Sequence, residues 1–512
     1  MVLSACAKPG AEAAPADTDI VITTEPPAEA AEAKPGPEDA GKSGSGDETK
    51  TTDAEEPVNS YNVSLVVNPR NREVSGLEKV KYYNRTGAGL SSVYFKLNLN
   101  AFGKDAPRKP YFDSMEAKVF QYGRDYGEIK VISASVNKEP ASFLVSGSCL
   151  RLDLPEELPA GADTDMTLQF SAKIPKISHR TGANENALWC GNFLPTLSVY
   201  DDKGWHTEDY TRAGDPFYTE TANFTVTLAA PPGYAAAATG SAGKEENVLG
   251  PDGQALKSVT YTANLSRDFA FALSDKYQKK SAATPQGVTI NIYTYSDADA
   301  EKYLDTAQKA LDYFGALIGT YPYKQLNIAE TELFMSCGME YPQMIFMDSG
   351  YLKKDAAART LVHEIGHQWF YNIIGNNQIA EAWLDEGLLS FVQEGFFNDT
   401  EALDAEMRRA YDALAEFIEA SGVDSSLRQS TAYYDSWNDY YEIQYVKGKL
   451  MFYALRRKMG AHKFDAFIKL YYSKYAYKTA AEANLRAAAE EAYGAPLDDF
   501  FEGWLADGLP PL

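Results

Sequence analysis

The sequence predicts an α+β, multidomain protein in which a largely antiparallel β domain precedes a mostly helical one. Three observations carry this expectation. The chain has 512 residues, more than one ordinary hydrophobic core organises, so two or three domains are expected. From Tyr61 to about Tyr277, short apolar stretches alternate with polar residues and are broken by turns. Beyond about residue 278, apolar residues recur instead at helical spacing.

The first 56 residues stand apart from both domains. The chain opens MVLSAC, and Leu3-Ser4-Ala5-Cys6 resembles the lipobox of bacterial lipoproteins, in which the cysteine is acylated. The apolar stretch that ordinarily precedes a lipobox is missing. Residues 7–56 hold 13 acidic and four basic residues and no aromatic one. Such a segment buries too little apolar surface to offset chain entropy and reads as a disordered acidic tether. A lipid on Cys6 would attach the chain to a membrane and make it an extracytoplasmic, bacterial cell-surface lipoprotein; the alternative is a cytoplasmic protein.

Residues 57–277 form the expected β domain. YNVSLVVN, EKVKYYN, VYFKLNL, MTLQFSAKI and NFTVTLAAPPGY are its clearest strands, each rich in Val, Thr, Tyr or Phe. Residues 278–512 form the expected helical domain. It opens with DADAEKYLDTAQKALDYFGALIG, where Tyr303, Leu304, Ala307, Leu311 and Phe314 share a helical face. LNIAETEL and QMIFMD are expected strands. Helices are expected over roughly 355–374, 381–397, 401–421, 437–459 and 462–474, with more beyond.

Composition excludes several function classes. A formal charge of −24 argues against nucleic acid as a partner. No run of 18 or more apolar residues exists, so no transmembrane helix is expected. Cys6 apart, Cys149, Cys190 and Cys337 are odd in number and make no complete disulfide framework. Unpaired thiols are expected, with a Cys149–Cys190 bridge left open.

The chemistry is concentrated in LVHEIGHQWF, residues 361–370. Positions four apart on a helix lie one turn apart on one face, so His363 and His367 can reach one ion together. Imidazole nitrogens suit Zn2+, and a catalytic zinc keeps three protein ligands with a fourth position for water. Glu364, offset along the turn, is placed to take a proton from that water. The chain has five histidines in all, which makes this spacing around a glutamate improbable by chance. Gly366, costly inside a helix, points to close packing there. The third ligand is Glu386 in EAWLDEGLLSFV, expected on a second helix packed against the first.

HEIGH, eighteen intervening residues and a glutamate inside WLDEG resemble the aminopeptidase N family of zinc metallopeptidases. The usual family wording is Trp-Leu-Asn-Glu-Gly, so Asp385 is a departure. SCGMEYPQ resembles the Gly-Ala-Met-Glu-Asn exopeptidase signature, carried here by Gly338, Met339 and Glu340. The resemblance implies a strand that pairs with the substrate backbone and a Glu340 carboxylate that grips the substrate's free α-ammonium. YEIQYVKGKLMFYAL implies that Tyr445, in Tyr-x-Lys-Gly, donates to the tetrahedral oxyanion. Cys337 and Tyr341 replace commoner neighbours of the signature.

The resemblance implies a β-saddle domain, then a thermolysin-like catalytic domain closing at FFEGWLADGLPPL, with a more open cleft than in members carrying further C-terminal domains. LWCGNFLPTLSVYDDKGW stands roughly where many members carry Pro-Cys-Phe-Asp-Glu-Pro, and no second acidic group for the substrate amine can be placed. The expected activity is a zinc-dependent aminopeptidase acting on peptides with a free N-terminus, with one Zn2+ as cofactor. A zinc endopeptidase on the same site, an epoxide hydrolase and a catalytically dead surface binding lipoprotein are the alternatives.

Overall fold

The structure is a computed structural model that describes residues 57–296, 300–333, 338–350, 352 and 356–512. Cys6, the tether and Cys337 lie outside the described residues. Among the described residues, no helix is long and apolar enough to cross a membrane. Cys149 and Cys190 are both free thiols.

The N-terminal part is built of several sheets. The largest has eight strands, with Ser60–Asn68 paired antiparallel to Glu73–Tyr83 and parallel to Ala222–Ala230. That parallel pair is the exception in an otherwise antiparallel sheet. Period-two alternation sends Val63, Leu65 and Val67 inward from one strand and Val226 and Leu228 from its neighbour. A four-stranded sheet including Leu90–Lys96 and Cys149–Leu158 contributes Val93, Phe95, Leu150 and Leu152 to the same core. Expected strands and observed strands coincide here because each half-buried strand keeps a clear alternation.

A second core takes most of its residues from Val288 to Leu505, with Phe112 and Ala213 joining from the N-terminal part. It contains a five-stranded sheet in the order Gln278–Ala283, Thr289–Thr294, Gln325–Thr331, Met344–Asp348, Gly338–Met339. The three central strands run parallel, and the two outer ones are antiparallel to their neighbours. Gln278–Ala283 and Thr289–Thr294 were not expected as strands. QKKSAA has no apolar alternation to reveal it, and TINIYT is buried on both faces, so its pattern does not alternate. Among the described residues, Gly338–Met339 lies at the edge of this sheet, with one side of its backbone unpaired by any strand.

Ala300–Leu317 and Ala357–Gly366 pack on the sheet, and Glu386–Val392, Thr400–Ser421, Gly448–Met459, Ala461–Tyr475, Glu482–Tyr493 and Asp498–Leu505 complete the helical part. Three expected helices are broken. The one expected to reach 374 stops at Gly366, and the side chains from Trp369 to Ile374 that follow are all buried. The chain turns there instead, with Tyr371 at a φ of 95°. Residues 381–397 divide into a short turn and two short helices, Glu386–Val392 and Glu394–Phe397. Residues 437–459 contain a π-helical stretch, Tyr441–Lys447, ahead of the regular helix Gly448–Met459. Such widened turns occur often at functional sites.

Candidate metal centre and active site

The helix Ala357–Gly366 supplies His363 and Glu364. His367 caps it, and its backbone N–H still donates to the His363 carbonyl at 3.2 Å. The two imidazoles therefore stay one turn apart on one face although the second lies past the last regular turn. Gly366 fits the close approach expected of it: a Cβ there would stand 2.2 Å from Leu389 Cδ1 and 2.8 Å from Phe314 Cζ. Leu389 belongs to the helix that begins at Glu386, so this glycine lets the two ligand-bearing helices meet.

Three donor atoms converge. His363 Nε2 lies 3.2 Å from Glu386 Oε2, His367 Nε2 lies 3.3 Å from the same oxygen, and the two Nε2 atoms are 3.1 Å apart. Ligands about 2.0–2.2 Å from zinc at tetrahedral angles lie roughly 3.3–3.6 Å from one another. The triangle is only slightly tighter than that, so the set fits the ion. The imidazole tautomers agree as well. His363 Nδ1 is 3.1 Å from Gln393 Oε1, and His367 Nδ1 is 3.1 Å from the Phe370 carbonyl. Each oxygen accepts from an Nδ1–H, which leaves both Nε2 lone pairs aimed at the common point.

The electrostatics favour a cation in this position. Burial works to raise the Glu386 carboxyl, but the charges and hydrogen bonds of His367 and His363 outweigh it and hold it below the usual range. Glu364 is pushed up to about 8, mainly by burial, with the Glu386 charge adding to the rise. Asp385, the departure in WLDEG, stands behind the donors, its Oδ2 3.9 Å from His367 Nδ1. Its oxygens accept from Asn376 Nδ2 at 2.8 Å and Gln378 Nε2 at 2.7 Å.

Tyr445 reaches the centre from the π-helical stretch, and its hydroxyl donates to Glu386 Oε1 at 2.5 Å. Burial raises its phenol well above the ordinary value, so the hydroxyl keeps its proton. Gly338 and Met339 form the edge strand, and Glu340 follows it, buried. A Cβ on Gly338 would stand 2.4 Å from Glu364, so glycine is required for the strand to pass beneath that carboxylate.

Sequence reasoning missed the partner of Glu340. Carboxylate oxygens of Asp215, Glu340 and Glu386 lie within 4.8 Å of one another. Asp215 comes from the N-terminal part, where Arg180 Nη2 donates to its Oδ1 at 2.6 Å. Nothing in AGDPF sets Asp215 apart among 72 acidic residues; only the fold brings it here. LWCGNF, by contrast, is a buried strand, Leu188–Cys190, and brings no acid to the site. A cavity of about 310 Å³ joins these groups, with Arg180, Asp215 and Glu340 among its walls along with Arg359, Trp437 and Tyr441.

A multi-sheet β part in front of a helical region that carries HExxH, with its third ligand on the following helix, defines the gluzincin class of metallopeptidases. Residues 302–504 match the peptidase family M1 domain. The rice protein aminopeptidase M1-B (Oryza sativa subsp. japonica) is 29% identical over 284 residues, covering 51% of this chain and 31% of that protein. Aminopeptidase N of Haemonchus contortus is 24% identical over 291 residues, covering 53% and 30%. This chain thus matches about a third of the length of these relatives. An M1 zinc metallopeptidase structure from Deinococcus radiodurans shares the fold, with a TM-score of 0.65 at 20% identity over 89% of this chain and 95% of that one. Residues 302–504 are thus a domain of peptidase family M1, and the chain is similar to aminopeptidases of that family.

Proposed function

We propose that the protein is a zinc-dependent aminopeptidase that hydrolyses the first peptide bond of peptides with a free N-terminus. The observation that carries this reading is the pair Glu340 and Asp215 beside the metal triad. Two buried carboxylates at one end of a cleft reward a positively charged amine and fix where the peptide begins.

His363, His367 and Glu386 would hold the ion through Nε2, Nε2 and Oε2. Bound there, zinc supplies a Lewis acid and lowers the pKa of water. The chain's own residues do the rest. Glu364, a carboxyl raised by burial, takes the proton of the attacking water and returns one to the leaving amine. The Tyr445 hydroxyl, protonated and beside Glu386, turns to donate to the oxygen that gains charge. The free edge of Gly338–Met339 offers backbone groups to an extended substrate, as strand addition does elsewhere. Arg180 holds Asp215 in place and balances part of its charge.

A mixed-peptide digest read by mass spectrometry, with and without a chelator, tests this. Stepwise N-terminal trimming that the chelator stops is the expected result, and an acetylated N-terminus should block it. Equal cleavage of acetylated peptides would replace the aminopeptidase with an endopeptidase on the same site. The cell-surface lipoprotein placement is likewise our proposal, resting on LSAC ahead of the acidic segment. Labelling of the full-length protein by a palmitate analogue, lost in Cys6→Ser, tests it.

A further inference from the structure

The cavity at the candidate metal centre has a cationic end that the proposed mechanism leaves unused. Arg359 lies one helical turn before His363 and two before His367, on the same helix face, and lines the cavity. At 1.5 Å per residue it stands about 6 Å along the axis from His363 and about 12 Å from His367. Glu340 lies toward the His367 end: Gln378 Nε2 donates to Glu340 Oε1 at 3.4 Å and to Asp385 Oδ2 at 2.7 Å, and that Asp385 oxygen is 3.9 Å from His367 Nδ1. Glu340 and the Arg180-paired Asp215 therefore lie at one end of the cleft and Arg359 at the other, with the candidate metal donors between them.

Arg359 is held but not neutralised. Its Nη1 donates to Glu394 Oε1 at 3.0 Å, and its guanidinium stacks over the Phe397 ring at 4.5 Å. Lys449 Nζ is 3.6 Å from the same Glu394 oxygen, so two cations share one buried carboxylate. Glu406 lies near the group but has Arg409 as its own partner at 2.7 Å. Glu442 is a further carboxylate that faces Lys449, and the Arg359 side chain remains 46% exposed. A guanidinium with a fixed plane and free N–H groups is suited to a carboxylate.

We propose that Arg359, backed by Lys449, forms a carboxylate-binding subsite on the leaving-group side of the scissile bond. This rests on the aminopeptidase reading. With the α-ammonium at Glu340 and Asp215 and the first carbonyl at the metal donors, an extended peptide advances about 3.3–3.6 Å per residue. The residues just past the scissile bond then fall at Arg359. The carboxylate is either the free C-terminus of a di- or tripeptide or an acidic side chain following the bond.

The test compares kcat/KM of the zinc-loaded full chain on matched pairs. Ala-Ala against Ala-Ala-amide and Ala-Ala-Ala against its amide read the C-terminal source. Ala-Glu-amide against Ala-Gln-amide reads the side-chain source. We expect the carboxylate member of at least one pair to be favoured by about fivefold or more, as for a partly exposed charged hydrogen bond. The preference should shrink as salt shortens the screening length. Arg359→Met, which keeps the stem, should bring the ratio to about one, and Arg359→Lys should retain part of it. Metal content and thermal melting check that both variants fold. A ratio of one in every wild-type pair, or a ratio that survives Arg359→Met, overturns the subsite while leaving the aminopeptidase standing. No amino-terminal release from any of these peptides overturns both.

Discussion

Gly387 and Gly448 face each other so closely that a Cβ on Gly387 would stand 2.9 Å from Gly448 Cα. Gly387 follows the ligand Glu386, and Gly448 follows the π-helical stretch that carries Tyr445. Their contact sets the approach of two helices and so brings the Tyr445 hydroxyl to Glu386 Oε1. Gly448→Ala adds a methyl where no space exists, at a cost of about 1–3 kcal/mol typical of overpacking. We expect a lower melting temperature and at least about a tenfold loss of kcat, with Tyr445 displaced while zinc still binds. Unchanged kcat in a folded, zinc-loaded variant would separate the glycine contact from the chemistry.

Glu364 and the metal donors should separate cleanly on substitution. Glu364→Gln keeps size and leaves the three donor atoms untouched, so one zinc per chain is expected by metal analysis. Turnover should fall by about a hundred- to ten-thousand-fold, the usual worth of a positioned general base. Gly338→Ala should imitate part of this loss, since its methyl would overlap the Glu364 carboxylate. A zinc-loaded Glu364→Gln protein of wild-type activity would remove Glu364 from the mechanism.

The candidate metal donors could be picked out of the sequence because the three fall within 24 residues and two obey helical spacing. Asp215 was not, since it reaches Glu340 from 125 positions away and through an ion pair with Arg180. The same contrast separates the elements. Half-buried strands such as Ser60–Asn68 announce themselves by alternation, whereas Thr289–Thr294, buried on both faces, does not. The expected helix 437–459 contained Tyr445, but no periodicity marks the widened turn that aims its side chain.

Asp268 makes stability fall with rising pH in the mildly acid range. Burial pushes its carboxyl up to about 6 from an ordinary 3.8, although Phe269 N–H donates at 2.7 Å and Asn192 Nδ2 at 3.2 Å. Between those two values the unfolded chain has lost the proton and the folded chain keeps it. Stability from this group is therefore full below pH 3.8 and is lost as pH rises through about 6. The loss amounts to at most about 3 kcal/mol. Asp268→Asn cannot ionise, so its melting temperature relative to wild type should climb from pH 4 to about 6 and then level off. A difference that stays flat across that range would show that Asp268 does not titrate in it.

Arg267 ties the N-terminal part to the turn behind the second metal histidine. Its Nη1 donates to the Thr219 carbonyl at 2.6 Å, its Nε to Asn372 at 3.0 Å and its Nη2 to Lys478 at 2.6 Å. The guanidinium lies against Gly375, where a Cβ would stand 2.1 Å from Cζ. Asn372 N–H in turn donates to the His367 carbonyl at 3.1 Å, so the clamp and the metal site share one turn. Arg267→Met removes three charge-assisted bonds and takes the side-chain donor from the buried Thr219 and Asn372 carbonyls, while the Lys478 carbonyl keeps the Gly375 N–H; the loss should cost about 3 kcal/mol. Burial already lowers the guanidinium pKa to about 10, so the charge itself is expensive and offsets part of that loss. The decisive readout is therefore zinc affinity beside melting temperature. If the clamp positions His367, a chelator should strip zinc from the variant at least about tenfold more readily than from wild type. A variant that melts lower yet holds zinc as tightly would confine Arg267 to joining the two parts of the molecule.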